Sequence, residues 1–278
     1  MSEIVVLVKR VPDTNARIVV DGGKVDLSMV KWVMSPYDEF AIEAALRHRE
    51  ATGGKVTALT LGSADSDKIL KDAKAIGVDE LVRVWDDSWS ELDSNSLQSV
   101  LCNVISGLGA QVVYCGKAAA DTGAGSTCPG VAERLGWASI SNITDVSFEG
   151  GIKVTCPVEG GSAKVSVPLP AVISCDKGAF KVRKPNVKGI MMAKRAQVET
   201  LSETAPAVTV SVVNQSPPPQ KPEGKMYNGA DSAGDDAAAA NMLARTLTTT
   251  SDDALTVCIA LPEYTGLVRL EPSIATTS

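Results

Sequence analysis

Val112-Val113-Tyr114-Cys115-Gly116-Lys117-Ala118-Ala119-Ala120-Asp121-Thr122-Gly123-Ala124-Gly125-Ser126-Thr127-Cys128-Pro129-Gly130 changes character twice within nineteen residues. The β-branched run at its start suits a buried strand, and Gly116 breaks it into a small, polar loop with three further glycines. Helix-compatible Val131-Ala132-Glu133-Arg134-Leu135 follows directly. The order is therefore strand, loop, helix. In an open parallel sheet such a loop sits at the carboxyl end of its strand, where main-chain N–H groups and a helix N-terminus face a shared crevice and favour an anion. The loop matches neither the Walker pattern nor GxGxxG, so an ordinary strand-to-helix connection stands beside the anion cradle as a reading.

The segments before it repeat the same rhythm. Ile4 to Val8 and Val56 to Leu61 are short apolar strands, and Glu80 to Val84 is a third. A helix opens at Ser35-Pro36, with Ser35 as cap, Pro36 in the first turn and Asp38 and Glu39 at the positive end of the dipole, and runs to about Ala51. Further helices are expected over Ser66–Ile76, stopped by Gly77, and over Ser94–Leu108. Between the first strand and the first helix, Arg17–Val20 and Lys24–Leu27 flank Asp21-Gly22-Gly23 as a small hairpin. Each pair of strands is separated by a crossover long enough for parallel pairing, which predicts a doubly wound, Rossmann-like α/β sheet.

After Gly136 the pattern turns to alternation. Ile143 to Val167, with turns at Glu149-Gly150-Gly151 and Glu159-Gly160-Gly161, reads as an antiparallel addition, and Ala171 to Cys175 as one more strand. Lys177 to Arg195 is an irregular basic stretch without an acidic residue, and it carries Val187, Ile190, Met191 and Met192 among its charges. Interleaved this way it is either a solvated loop or a docking surface for an acidic partner. Residues 1–200 thus form the α/β domain, and 201–278 an extended C-terminal arm with a Pro-rich linker at Ser216–Pro222 and one amphipathic helix over Asp235–Leu247. Such an arm cannot fold alone, so it is either disordered or lies across another subunit, the short helix favouring the second, and Ala254 to Leu261 reads as a last strand or contact.

The chain has 278 residues, 44% of them hydrophobic, and a net charge of −6. That balance argues against nucleic acid as a partner. The start of the chain carries no basic targeting segment and no apolar run is long enough to span a bilayer, so the expectation is a cytoplasmic protein that is not membrane-embedded. Six cysteines without a CxxC pair give no metal site, and most should be buried thiols. The one histidine, His48, lies between Arg47 and Arg49 and reads as a solvated surface residue, which leaves no Ser/His/Asp catalysis.

Three loops meet at the carboxyl ends of the expected strands: Val8-Lys9 onward, Leu61-Gly62-Ser63, and Gly116 to Thr127. Main-chain groups of Val8 and Leu61 suit an adenine edge, and Asp121 either a ribose hydroxyl or its own turn. The N–H groups of Gly123, Ala124, Gly125, Ser126 and Thr127, with the Ser126 and Thr127 hydroxyls, suit phosphate. A phosphate-loop lysine with magnesium-binding carboxylates is missing, so the chain has no outfit for nucleotide hydrolysis and any chemistry belongs to a cofactor.

Taken in order, these residues resemble one family, the beta subunit of electron transfer flavoprotein. Val8-Lys9-Arg10-Val11-Pro12-Asp13 resembles its VKxVPD opening, and Ser35-Pro36 with Ala41 to Arg47 its NPxxxxALEEALRL helix. Ala75 to Asp79 is similar to AMGAD, Gly116 to Pro129 to GxQAIDxDxxQxGP, and Leu135-Gly136-Trp137 to the start of LGWP. Leu169 to Val172 resembles LPAVV, and Lys188 to Arg195 KGIMAAKK. The likeness extends over about residues 4 to 200.

The resemblance implies an electron-transfer carrier subunit, not an enzyme in itself, paired with an alpha subunit that holds FAD. Its crevice would take AMP or, in electron-bifurcating members that oxidise NADH, a second FAD. Ser35, Pro36, Gly62 and Thr122 would join Val8, Lys9, Leu61, Gly116 and the loop in that pocket. Partners would be a flavoprotein dehydrogenase such as acyl-CoA dehydrogenase and a quinone oxidoreductase, met by Arg183, Lys184, Val187, Lys188, Ile190, Met191 and Lys194, and the arm would wrap the alpha subunit. Here Ser35 replaces the family's asparagine, Gly123 its second loop acid, Ser126 its glutamine and Val187 its anchoring leucine, and the tail past Thr248 exceeds the common pattern. The alternative from another class is a nucleotide-binding regulatory or stress-type α/β protein without a redox role.

Overall fold

A computed structural model describes residues 3–89, 92–178, 180–217, 219, 256–261 and 264–269. Two compact units divide at Pro217 and Pro218. In the first, β1 (Glu3–Leu7) leads into the short strands β2 (Arg10–Pro12), β3 (Val19–Asp21), β4 (Lys24–Asp26) and β5 (Trp32–Met34). Helix α1 (Pro36–Thr52), β6 (Lys55–Leu61), α2 (Asp67–Ile76), β7 (Glu80–Val84), α3 (Ser94–Gly107), β8 (Val112–Gly116) and α4 (Thr127–Leu135) then alternate. They are followed by β9 (Ala138–Ile143), β10 (Asp145–Ser147), β11 (Ile152–Val158), β12 (Gly161–Val167), β13 (Ala171–Cys175), α5 (Val187–Arg195) and β14 (Glu199–Leu201).

Seven strands form the central sheet in the order β14-β7-β6-β1-β8-β13-β9, every neighbouring pair parallel. The doubly wound expectation holds, and β9 and β14 add two edges that the sequence reading did not include. Apolar side chains of α1 and α2 pack on one face with Ile4, Val6 and Tyr114, and those of α3 and α4 pack on the other with Val5, Leu7 and Val113. Alternate residues of β1 and β8 thus feed two cores, which is why these strands are apolar throughout. The chain builds outward from β1 to β6 and β7, then returns through α3 to β8 on the other side of β1. The switch in direction opens a crevice at the carboxyl ends of β1 and β8.

The antiparallel addition is a three-stranded sheet, β10-β11-β12. Its turn residue Phe148 stacks on His48, with ring centroids 4.8 Å apart. His48 is 2% exposed, and its Nδ1 lies 3.3 Å from the Tyr114 hydroxyl. The surface assignment for this residue is corrected: Ala41, Ala44, Ala45 and His48 share the buried side of α1, and the added sheet closes over its last turns. Burial lowers the imidazole pKa to about 4. Ser35, expected to cap α1, makes no side-chain cap bond; its hydroxyl is buried without a partner. Cys102, Cys115, Cys128 and Cys175 are buried free thiols as expected, and Cys156 is half-buried.

Residues 202–217 lack regular structure yet lie along the first unit. The Asp93 carboxylate caps α3 by accepting from Ser96 N–H, and it also accepts from the Thr209 N–H and hydroxyl and from Val210 N–H. Those bonds hold it far below the usual carboxylate range. Farther on, Gln215 N–H donates to Gly23 O at 2.7 Å, and Val25 N–H donates to Gln215 Oε1 at 2.8 Å, so the segment reaches the β3–β4 hairpin. In the second unit β15 (Thr256–Leu261) and β16 (Tyr264–Arg269) pair antiparallel. The helix expected over 235–247 lies outside the described residues, as does most of the linker.

Candidate functional site

The crevice holds a cavity of about 200 Å³. Leu7, Val8 and Lys9 line it from the end of β1, Leu59 and Leu61 from β6, and Cys115, Gly116 and Lys117 from β8. Thr122, Ala124, Gly125, Ser126 and Thr127 form the loop side, and Leu92, just before α3, closes it together with Ser94, Leu97 and Leu101 of α3. Nine of the fourteen pocket residues expected from sequence line the cavity; Ser35, Pro36, Gly62, Asp121 and Gly123 do not. The α3 wall is not among the residues expected from sequence, since that helix follows β7, whose carboxyl end is not one of the three loops assigned to the crevice.

Asp38, expected from sequence only at the positive end of the helix dipole, also lines the cavity. It does more than face a helix dipole. Its Oδ2 accepts from Lys9 N–H at 2.7 Å and its Oδ1 from Gly116 N–H at 3.2 Å, so one carboxylate spans the ends of β1 and β8. A Cβ on Gly116 would overlap Asp38 Oδ1 and crowd the Cβ of Tyr37, which is why glycine must end β8. Burial raises Asp38 to about pH 7 against its two N–H donors and the nearby Lys9 charge. Burial therefore disfavours a full negative charge on the floor of the crevice.

Above that floor, Lys9 Nζ pairs with Asp121, at 2.7 Å to Oδ2 and 2.9 Å to Oδ1, and Asp121 Oδ1 also accepts from Thr122 N–H. Asp121 thus ties its loop to the end of β1. Gly123 and Gly125 both have φ of +62°, a left-handed turn that delivers the chain into α4. Gln98 Nε2 donates to Ser126 O at 3.0 Å and fixes the loop against α3. The first N–H groups of α4 have no partner within the helix and border the cavity at Ser126 and Thr127. Apolar walls joined to a cradle of N–H groups suit an adenine ring at one end and a phosphate at the other. Among the described residues no group of three or more His, Cys, Asp or Glu side chains is placed to hold a metal ion.

The Electron transfer flavoprotein domain family matches residues 23–206, about two thirds of the chain. Electron transfer flavoprotein subunit beta of Bacillus subtilis (strain 168) is 32% identical over 233 residues, which cover 81% of this chain and 91% of that protein. The chain belongs to the electron transfer flavoprotein beta-subunit family. The protein of the same name from Syntrophomonas wolfei is 33% identical over 225 residues, with 80% and 88% covered, and that of Mycobacterium tuberculosis (strain H37Rv) is 35% identical over 213 residues, with 73% and 79% covered. The chain is accordingly an electron-transfer subunit.

The second candidate surface of this electron transfer flavoprotein beta subunit is the basic stretch, and it is a helix where a loop was expected. Asn186 caps α5 by accepting from Gly189 N–H at 2.7 Å, and Lys194 and Arg195 occupy its negative end. Gly189 lets α5 approach α2 so closely that a Cβ would overlap the Ala75 carbonyl. Val187, Ile190, Met191 and Met192 are exposed, Val187 at 76%, and Lys184, Lys188 and Lys194 are exposed with them. Arg183 differs from the other expected docking residues: its guanidinium is bonded to Glu43 and Glu50 of α1. Among the described residues no helix is long and apolar enough to cross a membrane.

Proposed function

We propose that this subunit binds the adenylate part of AMP or FAD in the β1/β8 crevice, pairs with an electron transfer flavoprotein alpha subunit that holds FAD, and presents α5 to redox partners. The observation that carries the reading is the convergence of the carboxyl ends of β1, β6 and β8 and the α4 N-terminus on one apolar-walled cavity. The residues present fit an adenylate. Leu61, Leu97 and Leu101 offer apolar surface for a base, and Gly125, Ser126 and Thr127 offer N–H and hydroxyl donors for a phosphate. The nearest acids are compatible with an anion, because Asp121 is neutralised by Lys9 and Asp38 is held partly protonated.

When bound, a flavin supplies one- and two-electron transfer. The part of this chain is to hold the nucleotide end, exclude water with the leucine walls, and set the approach of a partner. A flavoprotein dehydrogenase such as acyl-CoA dehydrogenase on one side and a quinone oxidoreductase on the other fit a basic surface with an apolar centre, in a cytoplasmic setting. Residues beyond 200 serve in this reading as the arm that meets the alpha subunit.

Co-expression with the alpha subunit, followed by acid extraction and chromatography of the purified complex, tests it. A yellow heterodimer with one FAD and one AMP supports a simple carrier. Two FAD per heterodimer supports the bifurcating kind, which also requires a test for NADH oxidation. A colourless homodimer that binds ATP would overturn the reading.

A further inference from the structure

The stem that leads into α5 is fastened to α1 by a cluster of charges outside the crevice. Glu43, Arg47 and Glu50 lie at i, i+4 and i+7 along α1 and so share one ridge. Arg183 Nε donates to Glu43 Oε2 at 2.8 Å, its Nη2 to Glu43 Oε1 at 3.1 Å, and its own main-chain N–H to Glu43 Oε2 at 3.2 Å. Its Nη1 donates to Glu50 Oε1 at 2.6 Å and its Nη2 to Glu50 Oε2 at 3.2 Å. Arg47 donates to Glu43 at 2.9 Å and places its guanidinium 4.8 Å from the centre of the buried Phe180 ring.

Glu43 is 3% exposed, and the bonds from Arg183 and Arg47 offset its burial, so it stays ionised. Among the described residues, Arg183 is the one basic side chain between 177 and 195 that forms an ion pair, and both of its partners, Glu43 and Glu50, belong to this cluster. The exposed lysines of α5 are left to face outward, whereas Arg183 is turned inward to hold the stem. We propose that Glu43 is the positioning residue of the docking helix: through Arg183 it holds residues 180–186 on α1 and so fixes the direction in which α5 presents its apolar and basic side chains. The inference rests on the reading that α5 carries the partner contact. A planar guanidinium bonded at two carboxylates sets orientation as well as distance, which a single lysine contact does not.

The test uses the full chain, alone for hydrogen exchange and in complex with the alpha subunit for kinetics. In Glu43→Gln, amides 184–195 should exchange about tenfold faster while β1, β6 and β8 keep their protection. The KM for a substrate-reduced acyl-CoA dehydrogenase should rise about tenfold with kcat unchanged. Arg183→Lys, which keeps the charge and loses the fork, should fall between. If Glu43→Gln does not fold, the same measurements on Glu50→Gln and Arg183→Lys decide. Unchanged exchange at 184–195 overturns the proposal. So does faster exchange with an unchanged KM, provided that charge reversal at Lys184, Lys188 and Lys194 raises KM. If that reversal also leaves KM unchanged, the docking reading itself has failed, and the positioning role falls with it.

Discussion

Two carboxylates on α1, one turn and a half apart, are both buried and have opposite fates. Asp38, at the crevice, meets two main-chain N–H groups and is raised to about 7; Glu43, at the docking stem, meets two guanidinium groups and is held below the usual glutamate range despite its burial. Dipoles answer only part of the desolvation of a carboxylate, whereas full charges with matched geometry answer all of it. Burial at the crevice end thereby works against a full negative charge, which suits the anionic ligand proposed for it. The stem end is locked as an ion pair. One helix therefore supports two surfaces, with different electrostatic means at each.

The strongest way to break that separation is at the docking surface. Replacing Lys184, Lys188 and Lys194 with glutamate should slow electron exchange with an acidic partner about a hundredfold, by rapid-mixing kinetics at low salt. Nucleotide content, read by extraction, should not change. Loss of nucleotide in that variant would mean that the two surfaces are one.

The complementary variant strikes the crevice. Gly116→Ala forces a Cβ into Asp38 and Tyr37 and should destabilise the fold by about 2 kcal/mol in urea denaturation. It should also abolish nucleotide retention on gel filtration. Exchange at amides 184–195 should stay as in the parent chain, since α5 is held from the other end of α1 and from α2.

Crevice and added sheet can also be set against each other by pH. Unfolded His48 takes up a proton at about 6.5 while the folded residue resists until about 4, so its contribution to stability is present above 6.5 and lost as pH falls toward 4. Folded Asp38 keeps its proton up to about 7 whereas the unfolded residue ionises at 3.8, so its contribution is present below 3.8 and lost as pH rises toward 7. Between about pH 5 and 6.5 the two slopes oppose, and stability should be nearly flat. Asp38→Asn should unmask a rise with pH, and His48→Gln a fall, each of about 1–2 kcal/mol over that window in chemical denaturation. Parallel curves for the two variants would refute the opposition.

How far the sequence reveals this arrangement depends on whether a signal is local. The strand, loop and helix of 112–135 are legible because β-branched residues, glycines and a helix start follow one another directly. Strands β9 and β14 are not, since Ala-Ser-Ile-Ser-Asn-Ile carries serines and an asparagine suited to an edge and Glu-Thr-Leu is only three residues long. Asp38 reads as a dipole partner because its two N–H donors, Lys9 and Gly116, are 29 and 78 residues away. His48 looks solvated because its neighbours in sequence are arginines, while its neighbours in space are Tyr114 and Phe148. Arg183 falls within a run of exposed charges, and only the fold reveals that it faces 140 residues back to Glu43.

The smallest expected effect concerns Val187, which stands on the exposed face of α5 where the family resemblance has leucine. Free in solution the side chain is 76% exposed, so exchanging it for leucine should leave the stability of the chain unchanged. In the proposed docking the added methylene would be buried against the partner, which is worth about 0.8 kcal/mol or roughly fourfold in affinity. Val187→Leu should therefore lower KM for a dehydrogenase about fourfold at constant kcat. An increase instead would show that the partner pocket is shaped to valine, making this position a determinant of partner choice and not merely a shortened anchor.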